Sequence, residues 1–157
     1  MPIFGAISEF ALEFLVARAL PVSVCSGAHF FCEGDESTGM FVLEEGHVVI
    51  SRLWQGREFV LSQAGPGDCF GEMALMDLNR RSASVRATHD CQAMEIRPGA
   101  LHELFERDCE QFALIQMNMG REVCRRLRAT DDLLFAVQAS GAVAAPAPAA
   151  THPATGM

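Results

Sequence analysis

Residues 70–87 hold the side chains of this sequence that are best suited to binding a phosphorylated sugar. Glu72 supplies a carboxylate, which accepts hydrogen bonds from sugar hydroxyls. Arg81, nine residues later, supplies a planar guanidinium that can pair with two phosphate oxygens at once. Ser82 and Ser84 add short hydroxyl groups beside the arginine. A carboxylate next to an anion site predicts a ligand that carries both a hydroxyl group and a phosphate.

A turn and a glycine are expected to position these groups. Residues 65–68 read Gly-Pro-Gly-Asp, which is typical of a turn, and Gly71 allows the backbone to come close to a ligand. A short helical run begins at this glycine, and its first free N–H groups, from Gly71 to Met73, are expected to point at a negative charge. Arg81 follows at the start of an alternating, strand-like segment.

This stretch resembles the phosphate-binding cassette of cyclic-nucleotide-binding domains. The match consists of Phe-Gly-Glu-Met-Ala-Leu at residues 70–75 and Arg-Ser-Ala-Ser-Val at residues 81–85. The resemblance implies that Glu72 holds the ribose 2′-hydroxyl and that Arg81 neutralises the cyclic phosphate, with further contacts from Gly71 and Ser82. The ligand-binding residues expected on this basis are Phe70, Gly71, Glu72, Met73, Ala74, Arg81, Ser82, Ala83 and Ser84.

Two residues next to Arg81 refine this expectation. Arg80 adjoins it, but the small residues after Arg81 set the register, so Arg80 is expected to lie in solvent. In the family, serine after the cassette arginine occurs in domains that bind cyclic AMP, whereas threonine there tends to favour guanine. Ser82 therefore favours cyclic AMP as the ligand, with cyclic GMP as the alternative, and no cofactor is expected beside it.

The periodicity of apolar residues predicts the elements that carry the cassette. Residues 7–20, with Ser8 as N-cap and Pro21 as the stop, predict a helix. Short apolar runs between turn residues then predict an antiparallel β-roll or barrel of jelly-roll type. The predicted strands are residues 22–26, 29–32, 40–44, 47–53, 58–62, 83–87 and 92–96. The predicted fold class is α+β, with an N-terminal helix, a short cassette helix and two C-terminal helices.

The last of these helices carries a continuous apolar stripe. A helix over residues 98–105 opens with a proline, and a longer helix begins at Asp108. Its stripe consists of Phe112, Ile115, Met119, Val123 and Leu127. Three interpretations are open: packing on its own barrel, a homodimer through the helix around residues 108–135, or a mobile lid. The resemblance implies that this helix caps the base, and the candidates for that contact are Asn118, Arg121, Glu122 and Arg125.

Composition limits the classes of function. The 157 residues, half of them apolar, predict a cyclic-nucleotide-binding domain over residues 1–137 and a disordered Ala/Pro-rich tail over residues 138–157. A net charge of −8 argues against direct DNA binding, and the absence of an eighteen-residue apolar run argues against membrane insertion. The six cysteines lack metal-ligand spacing and no secretory signal precedes them, so a cytoplasmic protein with reduced thiols is expected.

Catalysis is not expected of this sequence. Glu72 and Arg81 would suit a phosphodiesterase, but such an enzyme usually needs metal ions. The histidines that would hold them are isolated, at His29, His47, His89 and His102. The predicted function is a stand-alone regulatory sensor that binds a cyclic nucleotide and acts on a downstream protein through movement of its C-terminal helices. The alternative is a dimeric interaction or scaffold module of the same fold that does not use the pocket.

Overall fold

The computed structural model describes residues 3–141 and divides the chain after Val123 into two units. The described residues form four helices and eight strands. In chain order these are α1 (Glu9–Val16), β1 (Leu20–Val24), β2 (His29–Phe31), β3 (Met40–Glu45), β4 (Val48–Trp54), β5 (Arg57–Ala64), β6 (Cys69–Phe70), α2 (Met73–Asp77), β7 (Ser84–Ala87), β8 (Cys91–Ile96), α3 (Pro98–Arg107) and α4 (Cys109–Ala139).

The strands pair into two antiparallel sheets of four. One has the order β1-β8-β3-β6 and the other β2-β7-β4-β5, so the strands form a β-roll-like sandwich rather than a closed barrel. The predicted α+β β-roll with four helices is thereby confirmed. Strand β6, at the start of the cassette, belongs to the first sheet, and β7, at its end, belongs to the second. The cassette therefore connects the two sheets.

Two clusters of buried side chains fill the first unit. The first, the helix-side core, joins α1, α3 and the first part of α4 to the strands, and includes Ile3, Leu15, Met40, Leu104, Ile115 and Met119. The second, the roll core, lies among the strands and includes Phe41, Leu43, Val48, Phe70 and Val85. Burial of these apolar surfaces is the main force that holds the cassette's supporting strands in place.

Most strand boundaries differ from the predicted ones by one or two residues, and two differences go further. The first helix ends at Val16, and Pro21 lies within β1 instead of ending the helix. Because β1 is an edge strand, its proline does not have to donate a hydrogen bond to a neighbouring strand. Strand β6 was not predicted, since two residues are too few to show the alternation that identifies a strand.

The apolar stripe of α4 is covered along its first part. Ile115 and Met119 are fully buried in the helix-side core, and Phe112 packs against the same cluster. This part of the stripe therefore packs on its own domain. Leu127 belongs to the second unit and is 58% exposed. The described residues therefore do not bury this part of the stripe.

The predicted tail lies largely outside the described residues. Residues 142–157 are not part of the description, and the boundary at residue 137 stays a prediction. No helix within residues 3–141 has the length and apolar character needed to cross a bilayer. None of the six cysteines forms a disulfide within residues 3–141, and of these only Cys69 and Cys91 are buried.

Candidate nucleotide-binding site

Gly71 lies at the start of the cassette in a conformation that favours glycine. Its φ is +81°, and a Cβ on it would lie 2.6 Å from Nη1 of Arg81. Arg81 Nη1 donates to the Gly71 carbonyl oxygen at 2.9 Å. The absence of a side chain therefore serves both the backbone conformation and the close approach of the guanidinium.

Glu72 lies beside this glycine with no exposed surface. It occupies the N-cap position of α2, whose first residue is Met73, and its relative exposure is 0%. The preceding strand β6 holds the backbone here, because Phe70 pairs with Phe41 across the sheet and stacks on its ring at 5.4 Å. A buried carboxylate is costly unless nearby charges or hydrogen bonds stabilise it, and the positive charge of Arg81 lies close enough to interact with Glu72.

Arg81 is the second buried charge of the site. It is only 4% exposed, and its Nη2 donates to the Gly39 carbonyl oxygen at 2.6 Å. Among residues 3–141 it forms no ion pair with a carboxylate, and its buried Nε makes no hydrogen bond. A guanidinium has five N–H donors, so three remain for a ligand.

Burial and charge act on Arg81 in opposite directions. Loss of solvent lowers the pKa of Arg81, whereas the negative charges of Glu95, Asp35 and Glu72 raise it. An arginine stays protonated even so, because its ordinary pKa is far above neutrality. The site therefore presents a permanent, largely desolvated positive charge next to a buried carboxylate.

The hydroxyl and small residues after Arg81 occupy different environments. Ser82 is exposed, whereas Ala83 and Ser84 are buried. The Ser84 Oγ accepts a hydrogen bond from the backbone N–H of Glu33 at 2.8 Å, so it already supports a neighbouring loop. Of the predicted hydroxyl contacts, Ser82 is thus the one that is open to solvent.

The remaining predicted residues differ in how far they are exposed. Met73 is 43% exposed, Ala74 is buried, and Phe70 is packed in the roll core. Arg80 lies at the surface as expected, where it donates to the Gly34 carbonyl oxygen and pairs with Glu36. The structure brings Gly71, Glu72 and Arg81 together, while the roles of all nine predicted residues stay predictions.

The turn before β3 supports Arg81 in a way that the sequence did not reveal. The Arg81 backbone N–H donates to the Asp35 carbonyl oxygen at 2.9 Å, and the Gly34 N–H donates to the Arg81 carbonyl oxygen at 2.9 Å. The Asp35 side chain in turn accepts from the backbone of Cys32. Gly34 and Asp35 were recognisable as a turn, but their partner is more than forty residues away in the sequence.

One candidate for the base contact is occupied by the protein itself. The Asn118 amide donates to the carbonyl oxygens of Ile3 and Gly5, at 3.1 Å and 2.8 Å. Arg121 donates to the Asn118 side-chain oxygen at 3.2 Å. Asn118 therefore holds the N-terminal segment against α4 in this structure and is not open to a base.

A separate cavity lies beside the cassette helix. Its volume is about 380 Å³, and it is lined by Glu36, Ser37, Ala74, Leu75, Leu78, Asn79, Arg80 and Pro98. The lining combines residues of α2 with Pro98, the first residue of α3. Open space therefore lies between the cassette helix and the start of the C-terminal helices. The described residues contain no group of three or more side chains that could hold a metal ion.

Comparison with known proteins assigns the family. The model of the family described as the cyclic nucleotide-binding domain matches residues 21–108, which is more than half of the chain. This chain belongs to the cyclic-nucleotide-binding domain family. The matched residues contain the two sheets except for Leu20, and the whole cassette, so the resemblance seen in the cassette residues is confirmed.

Several members of the family are similar to this chain. The cyclic AMP receptor protein of Thermus thermophilus is 30% identical over 91% of this chain and 66% of its own length. The crystal structure of the Thermus thermophilus catabolite activator protein superposes with a TM-score of 0.78 at 27% identity, covering 88% of this chain and 63% of that one. The N-terminal domain of a transcriptional regulator from Streptomyces coelicolor superposes with a TM-score of 0.69 at 30% identity, covering 84% of this chain and 92% of that one.

These relatives are regulators, and most of them are longer than the matched region. The chain spans 66% and 60% of the first curated relatives that it matches. The similarity therefore establishes a cyclic-nucleotide-binding domain related to this group of regulators.

Proposed function

We propose that this chain is a regulatory sensor domain that binds a cyclic nucleotide at Gly71, Glu72 and Arg81. The observation that carries the proposal is the buried guanidinium of Arg81, which has no carboxylate partner among the described residues and a buried Nε without a hydrogen bond. Leaving a buried donor unsatisfied is unfavourable, and a bound phosphate would supply the missing acceptor and the missing negative charge.

Glu72 makes the site suited to a nucleotide rather than to a simple anion. Its carboxylate is buried beside the arginine and would repel a free phosphate placed on it, but it accepts hydrogen bonds from a ribose hydroxyl. In the proposed complex the phosphate lies at Arg81 and Gly71, the 2′-hydroxyl lies at Glu72, and the exposed Ser82 adds a hydroxyl contact. Phe70, Met73, Ala74, Ala83 and Ser84 complete the proposed cassette.

Cyclic AMP is the proposed ligand, with cyclic GMP as the alternative. Ser82 follows the cassette arginine, which in the family accompanies cyclic AMP. The name of the Thermus relative, a cyclic AMP receptor protein, supports the same ligand. The proposal needs no metal or cofactor and no reaction at the bound nucleotide.

Signalling is proposed to occur through the C-terminal helices. The cavity between α2 and Pro98 provides space into which the start of α3 can move when a ligand changes the position of α2. Such a ligand shifts a conformational equilibrium only if it binds one arrangement more tightly than the other. The proposed receiver of the signal is a downstream protein rather than DNA, because a net charge of −8 opposes binding to phosphates.

Two further parts of the proposal concern assembly and location. Exposed apolar residues on α4 beyond Val123, among them Leu127 and Leu134, support a homodimer through this helix. A cytoplasmic location is supported by the six cysteines that form no disulfide, four of which are exposed.

The test is calorimetric titration of the purified, nucleotide-free protein with cyclic AMP and with cyclic GMP. We expect binding by the native protein and a loss of about 10- to 100-fold in affinity in Arg81→Ala, since a charge-assisted pair is removed. Arg80→Ala is the matched control, because that arginine is adjacent but lies at the surface, and it should change affinity by less than about threefold. Chromatography of the recovered ligand should show it unchanged.

Either of two results would contradict the proposal. A folded native protein, shown by mass spectrometry to carry no nucleotide, that binds neither ligand would favour a scaffold that does not use the pocket. Conversion of the ligand during the titration, abolished in Glu72→Gln, would favour an enzyme.

A further inference from the structure

The ring of Phe31 contacts both ends of the cassette from outside it. Arg81 Cζ lies 3.9 Å from the centroid of this ring. On the other side, a Cβ on Gly71 would lie 3.4 Å from Cε1 of Phe31. Phe31 ends strand β2 and belongs to no part of the cassette motif.

The strand pairing of the second sheet places the ring there. Strand β2 pairs with β7, and the register shifts between His29 and Phe31. Side chains of a regular strand alternate between the two faces, but this irregularity allows the consecutive Phe30 and Phe31 both to pack against the roll core. Phe31 is backed by Phe41 and Phe70, whose ring centroids lie 5.9 Å and 6.3 Å away.

The Arg81 guanidinium is therefore held on three sides. The Phe31 ring covers one face, the Gly71 carbonyl accepts from Nη1, and the Gly39 carbonyl accepts from Nη2. An aromatic face attracts a guanidinium more strongly where water is excluded, and here Arg81 is buried and Phe31 is partly buried. A cation whose orientation is fixed before the ligand arrives loses less conformational freedom on binding.

We propose that Phe31 is a positioning residue for the nucleotide phosphate, because it fixes the plane of the Arg81 guanidinium and keeps water from one of its faces. This inference rests on the proposed cyclic-nucleotide function. It extends the binding site beyond the cassette to a residue of β2.

The test compares Phe31→Leu with Phe30→Leu. Phe30 is the matched control because it contacts the same two rings, Phe41 and Phe70, at 5.4 Å and 5.0 Å, without a contact to Arg81. We expect Phe31→Leu to raise the Kd for cyclic AMP by about 3- to 30-fold, the range of a cation–π contact, and Phe30→Leu to change it by less than about twofold. Both variants should lower the midpoint of thermal unfolding to a similar extent.

Two further variants separate positioning from structural support. Phe31→Tyr keeps the aromatic face and should restore binding to within about twofold of the native value. In an Arg81→Ala background, where no cation remains beside the ring, Phe31→Leu should add less than about a twofold loss.

The outcomes distinguish this inference from the proposed function. Equal losses of affinity in Phe30→Leu and Phe31→Leu, or an undiminished effect of Phe31→Leu in the Arg81→Ala background, would overturn the role of Phe31 while leaving nucleotide binding intact. Absence of binding by the native protein would overturn the proposed function and this inference together.

Discussion

Arg81 donates a hydrogen bond of 2.6 Å from Nη2 to the carbonyl oxygen of Gly39. Gly39 directly precedes β3 and packs closely on the end of β8, since a Cβ on it would lie 2.5 Å from the carbonyl oxygen of Ile96. Helix α3 begins at Pro98, two residues after Ile96. Gly39 therefore lies between the proposed phosphate ligand and the start of the C-terminal helices. A shift of Arg81 on binding would be transmitted first through this glycine.

Replacement of Gly39 by alanine should therefore disturb both stability and binding. The atom in the way belongs to the backbone of β8 and cannot rotate aside, so we expect Gly39→Ala to lower the free energy of unfolding by about 1–3 kcal/mol. We also expect weaker binding of cyclic AMP, because the acceptor of Arg81 Nη2 is displaced. Urea denaturation and calorimetry measure the two effects.

Gly99→Ala is the control for this prediction. Gly99 lies in α3 with nothing within 4 Å of an added Cβ, so alanine there should be neutral or stabilise the protein by about 0.5–1 kcal/mol. Equal behaviour of the two variants would show that the contact between Gly39 and Ile96 has no energetic consequence.

Glu72→Gln should weaken binding through the ribose. The substitution keeps the shape of the side chain and removes its charge, and a hydrogen bond to a charged group contributes about 1.5–3 kcal/mol, so the Kd for cyclic AMP should rise about 10- to 100-fold. The control lies in the ligand: 2′-deoxy cyclic AMP lacks the hydroxyl and should bind Glu72→Gln about as well as it binds the native protein. A large loss with this ligand as well would assign Glu72 a structural role.

Asn118→Leu should destabilise the fold. The Asn118 amide donates to the carbonyl oxygens of Ile3, which is buried, and Gly5, and leaving a buried acceptor unsatisfied costs about 1–3 kcal/mol. We expect a decrease of this size in the free energy of unfolding, measured by urea denaturation. Gln116→Leu, two residues earlier on the same helix, makes no such bond and should change stability by less than about 0.5 kcal/mol. A similar loss in both variants would contradict a specific tie to the N-terminal segment.

Glu58 should make stability depend on pH in the acidic range. Hydrogen bonds from Arg86 and Ser51 lower the pKa of Glu58 below its ordinary value of 4.5. A carboxylate with a lowered pKa in the folded state stabilises the protein above the unfolded pKa, and this contribution is lost as pH falls through the folded pKa.

Glu58→Gln should accordingly be less stable than the native protein at neutral pH, and the difference should shrink as the pH falls below 4.5. Thermal unfolding from pH 7 to pH 3 measures the trend. Glu44→Gln is the control, because Glu44 is exposed at the end of β3 and makes no ion pair within residues 3–141. A difference that stays constant with pH would contradict the role of Glu58.

The proposed dimer has a testable face on α4. Leu127 and Leu134 are separated by two helical turns, so they share a face, and both are at least half exposed. Leu134→Glu should shift the native dimer to monomers in sedimentation experiments, since a charge would be buried in the interface. Leu133→Glu alters a more exposed leucine on another face and should leave the dimer intact. A native protein that sediments as a monomer at all concentrations would exclude this interface.

The cassette was predictable because its chemistry is local. Glu72 and Arg81 lie nine residues apart, and the glycines and small residues between and around them restrict the backbone independently of the rest of the chain. The strands of the roll were predictable for a similar reason, since turn glycines separate them. The two-residue strand β6 and the strand character of Pro21 were missed, because each depends on a neighbouring strand rather than on its own residues.

The amino-acid sequence was enough to predict the family, the candidate residues for a ribose and a phosphate, most helices and strands in their order, and the apolar stripe of α4. The surroundings of the candidate residues became visible only in the folded chain. Phe31, Gly39 and Asp35 reach Arg81 from distant parts of the chain, and Asn118 is bound to the N-terminal segment instead of being open to a base. The physical reason is that local propensity acts over a few residues, whereas the environment of a buried charge is set by strand pairing and core packing across the whole first unit.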